Sequence, residues 1–242
     1  MRNRLLVLAA FIIAVGALRA EAALITYDAS TGLRPEEVGW TFHDEHNPSS
    51  DVVLDDDVLR LTSGLNNRAY WDVVVPLPGT AIDSGVFVHT VARVVDEYHS
   101  RYQKGPTVGT LVHSYSGQYS AVRCNVQMDK VLLLDDRFGV LVAEVSLDTT
   151  EFHDYRLELN REAFRLFIDG DLCAHGTVSL RPYPDEGFSA VFGDGTFASG
   201  STVEFKSVAA GAIPEPSTLA IWSLLASLGL SVAWWRRRKQ AA

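Results

Sequence analysis

The spacing of the apolar runs constrains the fold of this chain more than any other feature. Short runs rich in β-branched and aromatic residues recur about every 8–12 residues, with turn-forming residues between them. No long window outside the two ends of the chain shows the 3.6-residue apolar period of an amphipathic helix. Val86 to Val95 alternates instead, and Asp169-Gly170 is a dipeptide that favours a type I′ hairpin. The body is therefore predicted to be all-β, an antiparallel sandwich or barrel.

Most of the body is assigned to strands by this pattern. Residues 29–50 are the main exception, because they are rich in turn signals and carry at most one helical turn, near Arg34–Val38. The predicted strands cover residues 24–28, 52–54, 58–61, 69–75, 86–95, 108–113, 118–128, 130–134, 140–145, 155–159, 164–168, 172–178, 188–192 and 203–208.

The N-terminus has the organisation of a secretory leader. Arg2 and Arg4 precede an apolar stretch from Leu5 to Leu18, and Ala20-Glu21-Ala22 supplies a small-x-small cleavage pattern. The apolar stretch is shorter than the roughly 20 residues that a spanning helix needs. Residues 1–22 are therefore predicted to be a signal peptide, and the mature chain is expected to begin near residue 23.

The C-terminus has three parts in a fixed order. Two prolines separated by one residue favour an exposed, extended segment, because neither can continue a helix or donate to a sheet. An apolar run long enough for a short transmembrane helix follows, and a cluster of cations suited to the cytoplasmic side ends it. These parts are Pro214, Glu215, Pro216 and Ser217; residues 219–235; and Arg236, Arg237, Arg238 and Lys239.

This tail, residues 214–242, resembles the PEP-CTERM sorting signal of Gram-negative bacteria that produce exopolysaccharide. The resemblance implies export by the secretion machinery, transient anchoring in the inner membrane and processing by an exosortase near the Pro-Glu-Pro motif. It further implies delivery to the cell surface or the extracellular matrix. The alternative is an ordinary C-terminal anchor, which does not require the proline-containing segment.

Charge excludes one class of partner. The full chain has 21 Lys and Arg and 30 Asp and Glu, a net charge of −9. Without the charged groups of the leader and the tail, residues 23–213 keep 14 basic and 28 acidic groups. A body this acidic is not expected to bind nucleic acid, whose phosphates require positive charge. We predict one domain at residues 23–208, followed by a short linker at residues 209–213.

Two cysteines, Cys124 and Cys173, both fall in predicted strands. Export would permit a disulfide between them, but two buried free thiols fit the pattern equally well. Their spacing matches no metal motif.

Two stretches of the body resemble known sandwich domains. Phe152–Gly176 is similar to a hairpin of laminin-G-like and concanavalin A-like domains, and Val191–Ala210 is similar to their closing strand. The resemblance implies an antiparallel jelly-roll sandwich, in which calcium often binds at loop edges. Clustered carboxylates at Asp135 and Asp136 are the candidate calcium ligands, although they also suit an ordinary turn.

The candidate ligand-binding surface is one face of the strand at residues 118–128. Side chains two residues apart on a strand point to the same side, and those on this face include hydrogen-bond donors and one aromatic ring. They are Tyr119, Arg123, Asn125 and Gln127. His89 and Arg93 are placed on a neighbouring strand. Polysaccharide is the expected ligand, because sugars offer hydroxyl pairs to planar polar groups and a C–H face to aromatic rings.

Three functions remain open. A retaining glycosidase of this fold would present two carboxylates about 5 Å apart, commonly as Glu-x-Asp-x-x-Glu, and this motif is absent from the sequence. We therefore expect a non-catalytic surface or matrix protein that binds polysaccharide. A glycoside hydrolase or lyase of the same shape and a purely structural surface protein are the alternatives.

Overall fold

The computed structural model describes residues 24–45, 50–64, 67–75, 85–99, 105–115, 118–135, 139–182, 187–194 and 199–213, together with Gly229. The predicted leader, the Pro-Glu-Pro motif and the C-terminal cations lie outside these residues, and so does the predicted spanning helix apart from Gly229. Within the described part of the chain, no helix is long and apolar enough to cross a bilayer.

The described chain is almost entirely β-structure. Two 3₁₀ turns, Ala29–Thr31 and Pro35–Val38, are its short helical segments, and the second confirms the turn predicted there. The strands are β1 (Leu24–Asp28), β2 (Thr41–Glu45), β3 (Asp51–Asp55), β4 (Val58–Ser63), β5 (Arg68–Val75), β6 (Val86–His99), β7 (Thr107–Tyr115), β8 (Gln118–Gln127), β9 (Lys130–Asp135), β10 (Val140–Ser146), β11 (His153–Asn160), β12 (Ala163–Ile168), β13 (Asp171–Thr177), β14 (Arg181–Pro182), β15 (Gly187–Asp194) and β16 (Ser199–Ala212).

The strands form two antiparallel sheets. Sheet A has the order β13-β12-β11-β6-β16-β4-β3, with β1 also paired to β16. Sheet B has the order β10-β9-β8-β7-β15-β5-β2, with β14 also paired to β8. Strands distant in the chain become neighbours in both sheets, and the all-β prediction of two packed antiparallel sheets is confirmed.

Alternation along the strands builds the core between the two sheets. Phe192 of sheet B is stacked on Trp71 at 5.0 Å between ring centroids, and it meets Phe205 of sheet A edge-on at 5.1 Å. All three rings are fully buried. Large aromatic side chains dominate core energetics because each removes much apolar surface from water, so this cluster holds the sheets together.

Hairpin turns follow the predicted turn residues. Asp169 and Gly170 both have positive φ, 52° and 88°, as a type I′ turn requires, and they connect β12 to β13. Asp56, between the strands predicted at residues 52–54 and 58–61, also has positive φ, at 51°. Local turn chemistry therefore determined these two connections.

Two segment assignments are wrong. Residues 209–212 are not a linker, because they complete β16 and pair with both β1 and β6. Ala210 and Ala212 are buried there, and the amide of Ile213 donates to the carbonyl of Gly85 at 2.9 Å. Residues 41–45, assigned to a turn-rich region, form β2 at one edge of sheet B. Small or polar residues in both segments concealed the strand pattern.

The cysteines do not form a disulfide. Cys124 is buried in the core and Cys173 is exposed on β13, so the prediction of two buried thiols holds only for Cys124. Burial raises the pKa of the Cys124 thiol far above its usual range, which keeps it protonated.

Candidate functional site

The predicted ligand-binding strand is β8, in the middle of sheet B between β7 and β9. Val122, Cys124 and Val126 point into the core. Residues of the opposite parity, including Tyr119 and Arg123, therefore lie on the outer face of sheet B. The period-two assignment of this strand is confirmed.

Half of the predicted face is covered, however. Asn125 and Gln127 are 0% and 3% exposed, so the expectation that they face solvent is wrong. The Asn125 amide donates to the carbonyl of Gly105 at 3.1 Å and accepts from the Thr107 hydroxyl at 3.3 Å. These contacts make Asn125 a structural link between β8 and the segment that leads into β7.

The covering segment fits closely against β8. The carbonyl of Pro106 accepts from the amide of Val126 at 2.8 Å. A Cβ atom on Gly105 would lie 1.9 Å from the Val126 carbonyl oxygen, so only glycine permits this approach. The burial of Asn125 and Gln127 closes this end of β8 to a ligand.

Tyr119 and Arg123 remain partly exposed on the same face. Ser114 of β7 lies opposite Tyr119, and Thr110 of β7 lies opposite Arg123. Arg181 of β14 pairs with Tyr119 on its other side. Ser114 and Thr110 are 5% and 4% exposed, so phenol and guanidinium groups are the polar chemistry that this part of sheet B presents.

His89 and Arg93 do not belong to this face. Both lie on β6, and β6 is in sheet A, on the other side of the core. Strand pairing between residues far apart in the chain decided this placement, and alternation within β6 could not reveal it.

A second polar group lies on sheet B outside the predicted ligand-binding strand. His43 of β2 contacts Asp72 of β5, with 3.0 Å between Nε2 and Oδ1, and its ring stacks on Tyr70 at 4.9 Å between centroids. The Tyr70 hydroxyl donates to Glu45 at 3.0 Å. The sequence signal for this group is the spacing of two residues between His43 and Glu45 and between Tyr70 and Asp72, which puts each pair on one face of a strand. For His43 and Glu45 this signal could be used only if residues 41–45 were recognised as a strand.

Tyr70 is held in its protonated form. Burial raises the pKa of Tyr70 to about 12, and the hydrogen bond to Glu45 acts in the same direction. The phenol is therefore a hydrogen-bond donor at any physiological pH.

One cross-strand row connects the two polar groups. The pairing partners run from Arg123 on β8 through Thr110 and Val191 to Asp72 on β5. Adjacent strands lie about 4.8 Å apart, so the row spans about 14 Å. Its ends have opposite charge, and Asp72 keeps about a third of its side chain exposed.

The predicted calcium ligands do not form a cluster in the described residues. Asp135 is buried, and its Oδ2 atom accepts from the amide of Ser179 at 3.0 Å. Asp136 lies outside the described residues. Within the described part of the chain, no group of three or more His, Cys, Asp or Glu side chains is placed to hold a metal ion.

Comparisons with known proteins identify the fold. No model of a known protein family matches the chain, and no curated protein matches it. The structure of an apo Crh5 transglycosylase superposes with a TM-score of 0.53 at 14% identity, covering 80% of this chain and 85% of that one.

Two further similar structures are a native glycosidic hydrolase and the metal-free carbohydrate recognition domain of Emp46p. Their TM-scores are 0.49 and 0.44, at 12% and 13% identity. The alignments cover 80% and 79% of this chain, and 97% of each of theirs. At this sequence identity, the superposition on the transglycosylase shows that the two proteins share a fold and shows nothing about function.

Proposed function

We propose that this chain is an exported protein with a jelly-roll body of the concanavalin A-like type, which binds polysaccharide without catalysing a reaction. The main observation in support of binding is the cross-strand row of paired residues from Arg123 to Asp72. Arg123, Val191 and Asp72 keep part of their side chains exposed and offer a guanidinium donor, an apolar surface and a carboxylate acceptor in sequence, whereas Thr110 between them is buried. Sugar rings present the complementary pattern of hydroxyl pairs and C–H faces.

The row also sets the direction of the ligand. Because Asn125 and Gln127 are buried, a polysaccharide cannot follow β8 along its length. It would instead lie across the strands, with the Tyr70 ring, two positions from Asp72 on β5, as an aromatic surface near the acidic end of the row. Tyr119 lies about 13 Å from Arg123 along β8, so only a ligand that also extends toward the start of β8 would contact it. A length of about 14 Å matches two to three sugar rings.

A non-catalytic role agrees with the positions of the carboxylates on this face. Asp72 pairs with Thr41, whereas Glu45 pairs with Arg68, four positions further along the strands. Their backbones are therefore about 13 Å apart along the strands, about twice the roughly 7 Å between residues two positions apart on one strand, the spacing of the Glu-x-Asp pair in retaining glycosidases. A glycoside hydrolase or lyase remains the alternative, and release of reducing ends from a bound polysaccharide would favour it.

Export and sorting are the second part of the proposal. Their support is the order of leader, body and PEP-CTERM-like tail in the sequence, together with the acidity of the body. We propose transient anchoring in the inner membrane, processing by an exosortase and delivery to the cell surface or extracellular matrix of a Gram-negative bacterium.

The binding proposal is tested with a panel of immobilised polysaccharides and the full-length chain in detergent. Arg123→Ala and Asp72→Asn should each weaken binding by about 1–3 kcal/mol, the cost of losing a hydrogen bond to a charged group. Tyr119→Ala should weaken binding to a similar extent for a ligand that also extends along the start of β8. Asp51→Asn, an exposed change on sheet A, is the control that should bind like the parent.

The same panel separates the alternatives. Measurement with and without added calcium tests whether a cation contributes to binding. If all three variants bind as tightly as the parent, the row is not the site. If the parent itself retains no polysaccharide, the purely structural role is correct.

A further inference from the structure

The outer face of sheet A contains a cleft of about 430 Å³, within the range of small-ligand sites. It lies on the opposite side of the core from the Arg123–Asp72 row. The residues that line it are His89, Asp154, Arg156, Glu158, Phe167 and Gly170.

Three neighbouring strands assemble this cleft. Arg156 of β11 pairs with His89 of β6 on one side and with Phe167 of β12 on the other. The three side chains therefore form one row about 10 Å wide. Gly170 in the adjoining turn has no side chain, and a Cβ atom there would meet nothing within 4 Å, so this side of the cleft is open.

Arg156 is held so that part of its guanidinium group remains available to donate hydrogen bonds to a ligand. Its Nε atom donates to Glu158 at 2.9 Å, and its guanidinium carbon lies 4.5 Å from the centroid of the Phe87 ring. Among the described residues, no acceptor contacts its two terminal nitrogens. Glu158 also forms an ion pair with Arg165, 2.7 Å between Oε2 and Nη2, which balances its negative charge.

Asp154 supplies the complementary acceptor. Its Oδ1 atom contacts Nε2 of His89 at 2.6 Å, and within the described part of the chain its Oδ2 atom has no donor. About half of the Asp154 side chain is exposed, whereas Glu158 is largely buried. The cleft thus brings together one available carboxylate oxygen, available guanidinium N–H groups and the Phe167 ring.

These groups select a neutral, hydroxyl-rich ligand. A phosphate or uronate would be repelled by Asp154, and a metal cation would be repelled by Arg156. A sugar hydroxyl can donate to Asp154 while a neighbouring one accepts from Arg156, and a pyranose C–H face can pack on Phe167. We propose that this cleft is a second saccharide-binding site, specific for a neutral glycan.

The consequence is a domain with a saccharide site on each of its two outer faces. This extends the proposed function, on which it rests, because two sites on opposite sheets let one molecule hold two polysaccharide chains. Binding to a polymer would then gain avidity, and the protein would cross-link a matrix.

The test counts sites on the full-length chain in detergent by isothermal titration with cellohexaose, laminarihexaose and maltohexaose. The parent should bind about two molecules of a recognised hexasaccharide, and Asp154→Asn and Phe167→Ala should each leave about one, with at least about tenfold weaker affinity at the altered site. The amide oxygen that Asp154→Asn introduces can still accept from His89, so this variant should keep the strand contact. Asp171→Asn, an exposed change on β13, is the matched control.

The outcomes distinguish the two proposals. The Arg123→Ala, Tyr119→Ala double variant should still bind a hexasaccharide. If adding Asp154→Asn to this double variant removes the residual binding, the second site is supported independently of the site on sheet B. If the sheet B double variant binds nothing while the parent binds, the second site is wrong and the first stands. If the parent binds none of the three hexasaccharides, the neutral-glycan assignment is overturned, and the polysaccharide panel decides the first proposal separately.

Discussion

His153 is the residue whose contacts depend most clearly on its protonation. Its Nδ1 atom contacts Asp169 at 2.7 Å, and its Nε2 atom contacts the carbonyl oxygen of Asp148 at 2.8 Å. Neutral imidazole has one donor and one acceptor nitrogen, so only the imidazolium satisfies both oxygens. Burial lowers the pKa of His153, but the hydrogen bonds to Asp169 and Asp148 outweigh it and raise the pKa above 6.5.

Asp169 responds in the opposite direction. The amide of Asp154 donates to its carboxylate at 2.9 Å, and this hydrogen bond, followed by the one from His153, lowers the pKa of Asp169 below 3.8. The ionised forms of both residues are thus the ones that the fold favours.

These shifts predict how stability depends on pH. The His153 contribution is fully present below pH 6.5 and is lost as the pH rises through the raised folded pKa. The Asp169 contribution is present above pH 3.8 and is lost as the pH falls through the lowered folded pKa. The contact should stabilise most between these two values.

Urea unfolding across a pH series tests this window. His153→Gln should destabilise the chain at pH 5 but have little effect at pH 9, since the neutral parent has already lost the charged contact. A variant that unfolds at the same urea concentration as the parent at about pH 5 would show that His153 contributes nothing to stability.

Among the elements, the turn between β12 and β13 allows the cost of backbone strain to be tested by a single substitution. Gly170 has a φ of 88°, and no heavy atom lies within 4 Å of a Cβ atom built there. The cost of a side chain is therefore backbone strain rather than a clash. Gly170→Val should destabilise the chain by about 1–3 kcal/mol, because a β-branched residue resists positive φ.

Thermal unfolding of two variants checks the cause. Gly170→Asn is the matched control, since asparagine tolerates the left-handed region and should cost much less than valine. Equal melting temperatures for the valine variant and the parent would mean that the turn relaxes without strain. Loss of stability in both variants to the same extent would point to the added side chain instead of the backbone.

At the scale of the whole molecule, an acidic body is joined to a cationic C-terminus through an apolar segment. If this tail is a sorting signal, replacing Arg236, Arg237 and Arg238 by alanine should weaken membrane retention and disturb processing, because these cations hold the C-terminus on the cytoplasmic side. Fractionation of the native host, with detection of the body, measures both effects.

Lysine at the same three positions is the matched control. It keeps the positive charge, so processing and delivery should be close to those of the parent. Normal maturation and surface delivery of the alanine variant would contradict the sorting proposal, and failure of the lysine variant would show that charge is not the relevant property.

The sequence by itself determined the local features of this protein. Alternation assigned β8 its core side, with Val122, Cys124 and Val126, and turn chemistry located the connection at Asp169-Gly170. Both signals act over a few residues, since side-chain direction and backbone dihedral preference are local properties. The candidate residues Tyr119 and Arg123 could be found for the same reason.

Only the tertiary structure decided which residues share a surface. It buried Asn125 beneath Gly105, placed β6 and His89 in the opposite sheet, and aligned Arg123 with Asp72 across three strand intervals. Strand partners in this fold are often more than a hundred residues apart, and no local period encodes such a pairing. The two saccharide faces proposed for this domain were therefore specified by long-range packing, because packing alone sets which strands become neighbours.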